Sequence, residues 1–199
     1  MLHVELLKHE AFLADMEYTA AHAMLICHDN EIRLEKEAPE VFIKRAIKLT
    51  HESILEHIVL SYLVKNLSRA CLQELPRHRL TTLSVESTRH CIRKQATEEF
   101  VRKYWNEKDD EFFFAMNFVN FAKAHTDMPN DRLKYFLPEF WPTNLIITMN
   151  VRELRHIVKL RTAPAALAEF QTLAREFVNQ IPTGFRYLAE DCVYKKNEE

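Results

Sequence analysis

The chain shows two hydrophobic rhythms. From Pro39 to Thr50, the residues Val41, Phe42, Ile43, Ala46, Ile47 and Leu49 recur at helical spacing, so a helix is predicted over 39–50 with proline at its start. His57 to Val64 reads HIVLSYLV, short and rich in β-branched residues, which predicts a strand buried on both faces. Asn66 or Ser68 can cap a helix running to Leu75, which Pro76 helps to end. The Thr/Ser-rich stretch 80–88 is poor helix material and reads as an extended loop. Helices are predicted over 96–107 and 110–125, and a short one over 131–136 after the break at Pro129-Asn130. Asn144 to Met149 (NLIITM) reads as a second buried strand, and Asn150 can cap a helix carrying Val151, Leu154, Ile157, Val158 and Leu160. A last helix is predicted over 164–180, with Pro164 in its first turn, before a tail that frays from Lys195. Helices with few, irregularly spaced strands argue for α+β: a small mixed or antiparallel sheet packed with several helices.

Composition narrows the function more than the fold. With 199 residues, the chain fits a single domain over 1–199, at roughly 100–200 residues per domain. Folding can bury about 70% of its surface, so no disulfide or metal staple is needed. The one feature far from average is a single glycine, Gly184, where usage of about 7% would give roughly 14. Loops that cradle phosphate against bare backbone need glycine, so a bound nucleotide must be held by side chains or helix N-termini. Net charge is −2, from 27 basic and 29 acidic residues, so no overall positive field draws the chain to nucleic acid. Cys27, Cys71, Cys91 and Cys192 form no C-x-x-C pair. The charged start (His3, Glu5, Lys8, His9, Glu10) is unlike a signal peptide, and no apolar run reaches the roughly 20 residues a bilayer requires. A reducing, cytoplasmic setting with no membrane partner is the expectation.

The densest chemistry lies in Glu74 to His90, ELPRHRLTTLSVESTRH. Arg77, His78 and Arg79 follow a predicted helix, and Ser84, Glu86, Ser87 and Arg89 come next. Arginine presents five donors in a rigid fork that can hold a phosphate bidentately. Histidine can stack, donate or carry charge near neutral pH. From the residues alone, two readings stay open: a solvated basic turn, or an anion site built without glycine.

The pattern Arg-His-Arg, seven residues, Ser, met by Arg77-His78-Arg79 and Ser87, resembles the signature of the flavin-dependent thymidylate synthases. Upstream, His51 to His57 (HESILEH) resembles that family's H-x-S/T-x-x-E-H segment, and Leu72 to Pro76 (LQELP) its L-Q-E-L variant. Downstream, Leu137-Pro138 and Thr148 to Leu154 (TMNVREL) resemble its L-P…T-x-N-x-R-x-L stretch. The segments keep the family's order and cover roughly residues 45–190; the resemblance is weak over 1–45, where nothing before Pro39 is assigned.

The resemblance implies a thymidylate synthase-like fold and conversion of dUMP to dTMP. Methylene-tetrahydrofolate is then the carbon donor and NADPH, through FAD, the hydride source. It also implies a homotetramer with active sites between subunits. Arg161 is then the catalytic arginine on the uracil ring. The implied dUMP contacts are Gln73, Glu74, Arg77, Glu86, Ser87, Arg89, Lys134 and Arg161, with Ser87 and Arg89 reaching in from a neighbouring subunit. The implied FAD contacts are His51, Ser53, Arg77, His78, Arg79, Ser84, Asn150, Arg152 and His156. No catalytic cysteine is implied, and Cys71 and Cys91 read as buried structural residues. The chain departs from the family at Ser84-Val85-Glu86, where the acidic residue is displaced by one, at His90, and at Ala166 to Gln171, which lacks the usual Gln and Arg. These departures keep a second reading in play, a flavin-binding relative without turnover. A nucleic-acid module using the basic turn is a third, opposed by the sequence pI of about 6.6.

Other features have plainer readings. His22 and His28, like His51 and His57, are spaced by six, poorly suited to joint ligation, and no metal site is expected. Phe112, Phe113, Phe114, Phe118 and Phe121 read as core or subunit interface, and Trp105 and Trp141 as core.

Overall fold

A computed structural model describes residues 1–7, 10–27 and 35–195. In chain order, its strands are β1 (His3–Leu6), β2 (Val59–Ser68), β3 (Thr81–Val85) and β4 (Pro142–Asn150). Its helices are α1 (Glu10–Ile26), α2 (Pro39–Lys48), α3 (Arg69–Glu74), α4 (Thr88–Gln95), α5 (Glu98–Tyr104), α6 (Asp110–Ala124), α7 (Asn130–Leu133), α8 (Val151–Arg161) and α9 (Ala168–Asn179). Every strand pair is antiparallel, in the order β1-β2-β4-β3, which resolves the expected mixed or antiparallel sheet in favour of the latter.

Leu60, Tyr62 and Val64 of β2 and Leu145, Ile147 and Met149 of β4 point to one face, where they join α1, α2, α8 and α9 in the larger core. The other face carries Leu63, paired with Ile146, which pairs in turn with Ser84, and Ile146 is 41% exposed. The central strands are therefore buried on one face and not on both, the ordinary condition of an antiparallel sheet. A second core gathers α4, α5, α6 and α7 around Trp141, which is 1% exposed. Phe118 is buried there, whereas Phe113 and Phe114 face out.

Several boundaries differ from expectation for local reasons. β2 starts at Val59 because residues 52–57 wind into a 3-10 helix, and it runs on to Ser68 through a bulge at Asn66. Asn66 takes the left-handed conformation (φ 63°) that asparagine tolerates, and its amide N–H bonds the Asn144 side-chain oxygen at 3.1 Å. Ser68, not Asn66, caps α3, its hydroxyl accepting from the Cys71 amide. The stretch expected as a loop over 80–88 contains β3, an edge strand whose threonines suit a pleated, half-exposed surface. α4 then takes Thr88 from the expected loop and fills 89–95, for which no element is predicted, and the expected 96–107 helix shortens to α5, capped by Thr97 accepting from the Phe100 amide. The last helix begins at Ala168, not Pro164: the chain turns after Thr162, and the Ala166 amide bonds the Ala163 carbonyl. The expected cap at Asn150 forms, accepting from the Glu153 amide at 2.8 Å.

Glycine poverty leaves a mark at the end of α2. The His51 amide bonds the Ala46 carbonyl and the Thr50 amide the Ile47 carbonyl, the paired bonds of a Schellman stop. That stop wants glycine in the left-handed position, yet the residue there is Thr50, at φ 58°. A β-branched side chain in this conformation is strained. Thr50→Gly is expected to stabilise the protein by about 1 kcal/mol. This would raise the melting temperature by roughly 2–4 °C for a chain of this length.

Candidate functional site

α8 sets the geometry. Its buried stripe (Val151, Leu154, Ile157, Val158) seats it on the sheet, which turns Arg152, His156 and Lys159 outward along the opposite face. Arg161 ends the helix beside the Arg77-His78-Arg79 turn, which follows α3 directly. There it meets two expected site residues directly and a third, Arg77, through one of them. Arg161 Nε donates to His78 Nε2 at 3.0 Å and Arg161 Nη1 to Glu74 Oε2 at 2.9 Å. Glu74 also accepts from Arg77 Nη1, at 3.1 and 3.0 Å to its two oxygens. The Arg161 guanidinium lies over the Phe170 ring, 4.7 Å from its centroid. Two of the five N–H groups of Arg161 are spent in these bonds, and its side chain keeps 17% of its exposure.

These bonds fix a protonation state. A guanidinium only donates, so His78 Nε2 must accept and the proton sits on Nδ1, 3.5 Å from Glu153 Oε1. His78 is 4% exposed. Burial first, then the charges of Arg161 and His156, pull its pKa down to about 4. Burial pushes the Glu153 carboxyl up, while the Arg77 and Arg161 guanidiniums hold Glu74 below the usual carboxylate range. The cluster is thus a neutral imidazole wedged between a fixed cation and a buried acid.

A depressed histidine pKa makes the unfolded state the stronger proton acceptor. The stability His78 contributes is complete above its unfolded value near 6.5 and drains away as pH falls toward 4. The loss is expected to reach roughly 3 kcal/mol. Glu153 titrates in the opposite sense, so the comparison that isolates the histidine is thermal melting from pH 7 to 4 of wild type against His78→Gln. A flatter profile is expected in the variant.

Alongside this cluster runs a groove of about 910 Å³ lined by Thr50, Glu52, Leu80, Arg152, His156 and Lys159, among others. Its size lies at the upper end for a small-molecule site, about 300–1,000 Å³. The carboxylates on its walls are already engaged, Glu52 and Asp191 by Arg155 and Glu153 beside His78, while Arg152 pairs with Glu56 outside it. The cationic face of α8 is what the groove offers a ligand, and these residues fit an anionic dinucleotide held without glycine. His51 and Ser53 sit exposed on the segment of Glu52. Arg79 is exposed beside His78.

Ser84, Glu86, Ser87, Arg89 and Lys134 fall elsewhere. Ser84 lies within β3, and the strand, whose five residues span about 17 Å, carries Glu86, Ser87 and Arg89 away from the arginine turn. Glu86 accepts from Gln95 Nε2 at 3.0 Å and Asn144 Nδ2 at 3.0 Å, and Trp141 Nε1 donates to Gln95 at 3.2 Å. Arg89 pairs with Asp131 at 2.6 Å, and Ser87 opens α4 without spending its hydroxyl on a cap. Lys134 is exposed near the Tyr135 ring, and Gln73 donates to Glu139 at 2.8 Å. The structure therefore unites Glu74, Arg77, His78 and Arg161, sets His156 and Arg152 next to them, and leaves the Ser87–Arg89 group at the far end of β3.

Sequence reasoning missed Glu153, Phe170 and Arg155. Glu153 stood at a variable position of a quoted segment, Phe170 at an apolar position of the Ala166–Gln171 stretch to which no role was given, and Arg155 showed only as a charge on the buried side of α8. Cys71 is buried with its thiol pushed up to about 12, mainly by burial, and Cys91 is raised for the same reason, so neither is a ready nucleophile. Among the described residues, no group of three or more His, Cys, Asp or Glu is placed to hold a metal, and no helix is long and apolar enough to cross a membrane. His28 and the tail from 196 lie outside the described residues.

Residues 5–183 match the model of the Thy1 family, described as thymidylate synthase complementing protein. A flavin-dependent thymidylate synthase of Helicobacter pylori is 33% identical over 159 residues, covering 72% of this chain and 76% of the relative. One of Wolinella succinogenes is 36% identical over 156 residues, covering 71% and 75%. A crystal structure of Thymidylate Synthase X from Helicobacter pylori, described as with FAD and dUMP, superposes with a TM-score of 0.81 at 26% identity, over 98% of this chain and all of that one. With a four-stranded antiparallel sheet, an arginine turn at its edge and this breadth of similarity, the chain belongs to the Thy1 family of flavin-dependent thymidylate synthases.

Proposed function

We propose that the protein makes dTMP from dUMP as a cytoplasmic homotetramer, with methylene-tetrahydrofolate as carbon donor and NADPH as reductant. The observation that carries this reading is the Arg161–His78–Glu74–Arg77 cluster opening beside a cationic groove, within a chain whose relatives bear that enzyme's name. FAD, when bound, relays the reducing hydride. Arg152 and His156 would hold it along α8, with Asn150, His51, Ser53, Arg77, Arg79 and Ser84 as further contacts and His78 setting the turn beneath. Arg161, held by Glu74 and His78, would aim its remaining N–H groups at the uracil ring and favour negative charge on the ring oxygen as the ring is activated. Gln73, Glu74, Arg77, Glu86, Ser87, Arg89 and Lys134 would complete the dUMP site.

Assembly across subunits is supported by the length of β3, which keeps Ser87 and Arg89 away from Arg161 of their own chain. It is also supported by surface. The half-open sheet face at Leu63 and Ile146 and the outward Phe113 and Phe114 offer area to cover. The test is spectroscopic and kinetic. Purified protein should carry or take up FAD, and its NADPH oxidation should accelerate when dUMP is added. Protein that cannot be reconstituted with flavin would overturn the reading. Flavin binding without dTMP formation would favour the non-catalytic relative, which the displaced Glu86 keeps in view.

A further inference from the structure

Beneath the groove lies a buried guanidinium that the proposed chemistry does not use. Arg155 points to the inner side of α8 and is 6% exposed. Its Nε donates to Glu52 Oε1 at 2.9 Å. Its Nη1 donates to the Leu188 carbonyl at 2.9 Å and to Asp191 Oδ1 at 2.6 Å, and its Nη2 to Asp191 Oδ2 at 2.8 Å. One side chain thus joins three stretches of chain: the 3-10 helix at 52–57, α8, and the C-terminal 3-10 turns at 183–188 and 190–192. Glu52 sits between His51 and Ser53, on a segment that enters through the strained Thr50. A residue held in the left-handed region persists only where its surroundings over-determine it. Here they do so from both sides: the Schellman bonds fix the segment's start, and Arg155 fixes its next turn.

We propose that Arg155 is a positioning residue for the flavin site, pinning the segment that carries His51 and Ser53 beside the groove through Glu52, and braced by Asp191 and the C-terminal turn. It borders the groove itself, but each of its side-chain nitrogens already donates, to Glu52, Leu188 or Asp191, so it acts through Glu52. The fork-to-fork bond with Asp191 fixes the guanidinium plane, and with it the direction of the Nε–H that holds Glu52. The inference rests on the reading of this groove as the FAD site.

The test is FAD affinity by flavin fluorescence, measured with thermal melting on the same full-length protein. Glu52→Ala removes the link and leaves the Arg155–Asp191 pair and the Leu188 bond in place. It should weaken FAD binding about tenfold, as the loss of an outer hydrogen-bonding partner commonly does. Glu52→Gln keeps an acceptor oxygen and should restore most of the affinity. Asp191→Asn, which breaks the symmetry of the brace at a residue that also lines the groove but leaves Glu52 in place, should lie between them. A Glu52→Ala protein that melts lower but binds FAD as tightly as wild type would overturn the positioning role, since a merely structural ion pair would leave affinity unmoved. Failure of the wild-type protein itself to bind FAD would overturn the flavin reading, and the role of Arg155 with it.

Discussion

Replacing Arg161 with alanine is expected to lower turnover by about 10²–10³-fold while flavin stays bound. The size follows from the arginine's place. It is a fixed cation at the end of α8, already oriented by His78, Glu74 and the Phe170 ring, so no reorganisation is needed when charge develops on a substrate oxygen. The same replacement strands His78 Nε2, a buried acceptor, at a cost of roughly 1–3 kcal/mol in stability. Melting and turnover must therefore be read together. Arg161→Lys separates the two effects: it keeps a charge but loses the planar fork that bonds His78 and Glu74 at once. Its turnover should fall well below wild type even with the fold intact. Wild-type dTMP formation by Arg161→Ala would show that another group polarises the ring.

The second large effect concerns the ends of β3. Arg89→Ala removes a cation proposed to hold the dUMP phosphate, a charge-assisted bond worth about 1.5–3 kcal/mol, so dUMP affinity should fall roughly ten- to hundredfold. Its present partner is Asp131, in an exposed pair that contributes little to stability, so the fold should tolerate the change. Arg161→Ala and Arg89→Ala proteins should each be nearly inactive under limiting dUMP. Mixed, dissociated and allowed to reassociate, they should recover activity, because some interfaces then pair an intact Arg161 from one chain with an intact Arg89 from the next. If both arginines served one site within a single chain, every site in the mixture would keep a lesion and no activity would return.

What was legible in the sequence was what local chemistry decides. Asn150 and Ser68 announced their helices because a cap needs only its own side chain and an amide three residues on. Helix α8 announced itself through its stripe of Val151, Leu154, Ile157 and Val158. The elements that were missed depend on distant partners. β1 is four residues long and exists because it pairs with β2, His3 opposite Lys65. β3 looks like a loop because its Thr-Thr-Leu-Ser-Val sequence becomes a strand only beside β4. The same division runs through the site. Arg161 lies 83 residues from His78 and 87 from Glu74. No spacing rule joins residues so far apart, and only the resemblance did. Where the resemblance said nothing, as for Arg155 and its partners 103 and 36 residues away, the link became visible only in the folded chain.

The Arg161–His78–Glu74–Arg77 cluster is proposed to activate uracil for reductive methylation. The most direct measurement is tritium release from dUMP labelled on the ring carbon that accepts the methyl group, with FAD-loaded protein, methylene-tetrahydrofolate and NADPH. Release matched by dTMP formation, and lost in Arg161→Ala, is the expected result. Flavin-loaded, dUMP-binding protein that releases no tritium would contradict it.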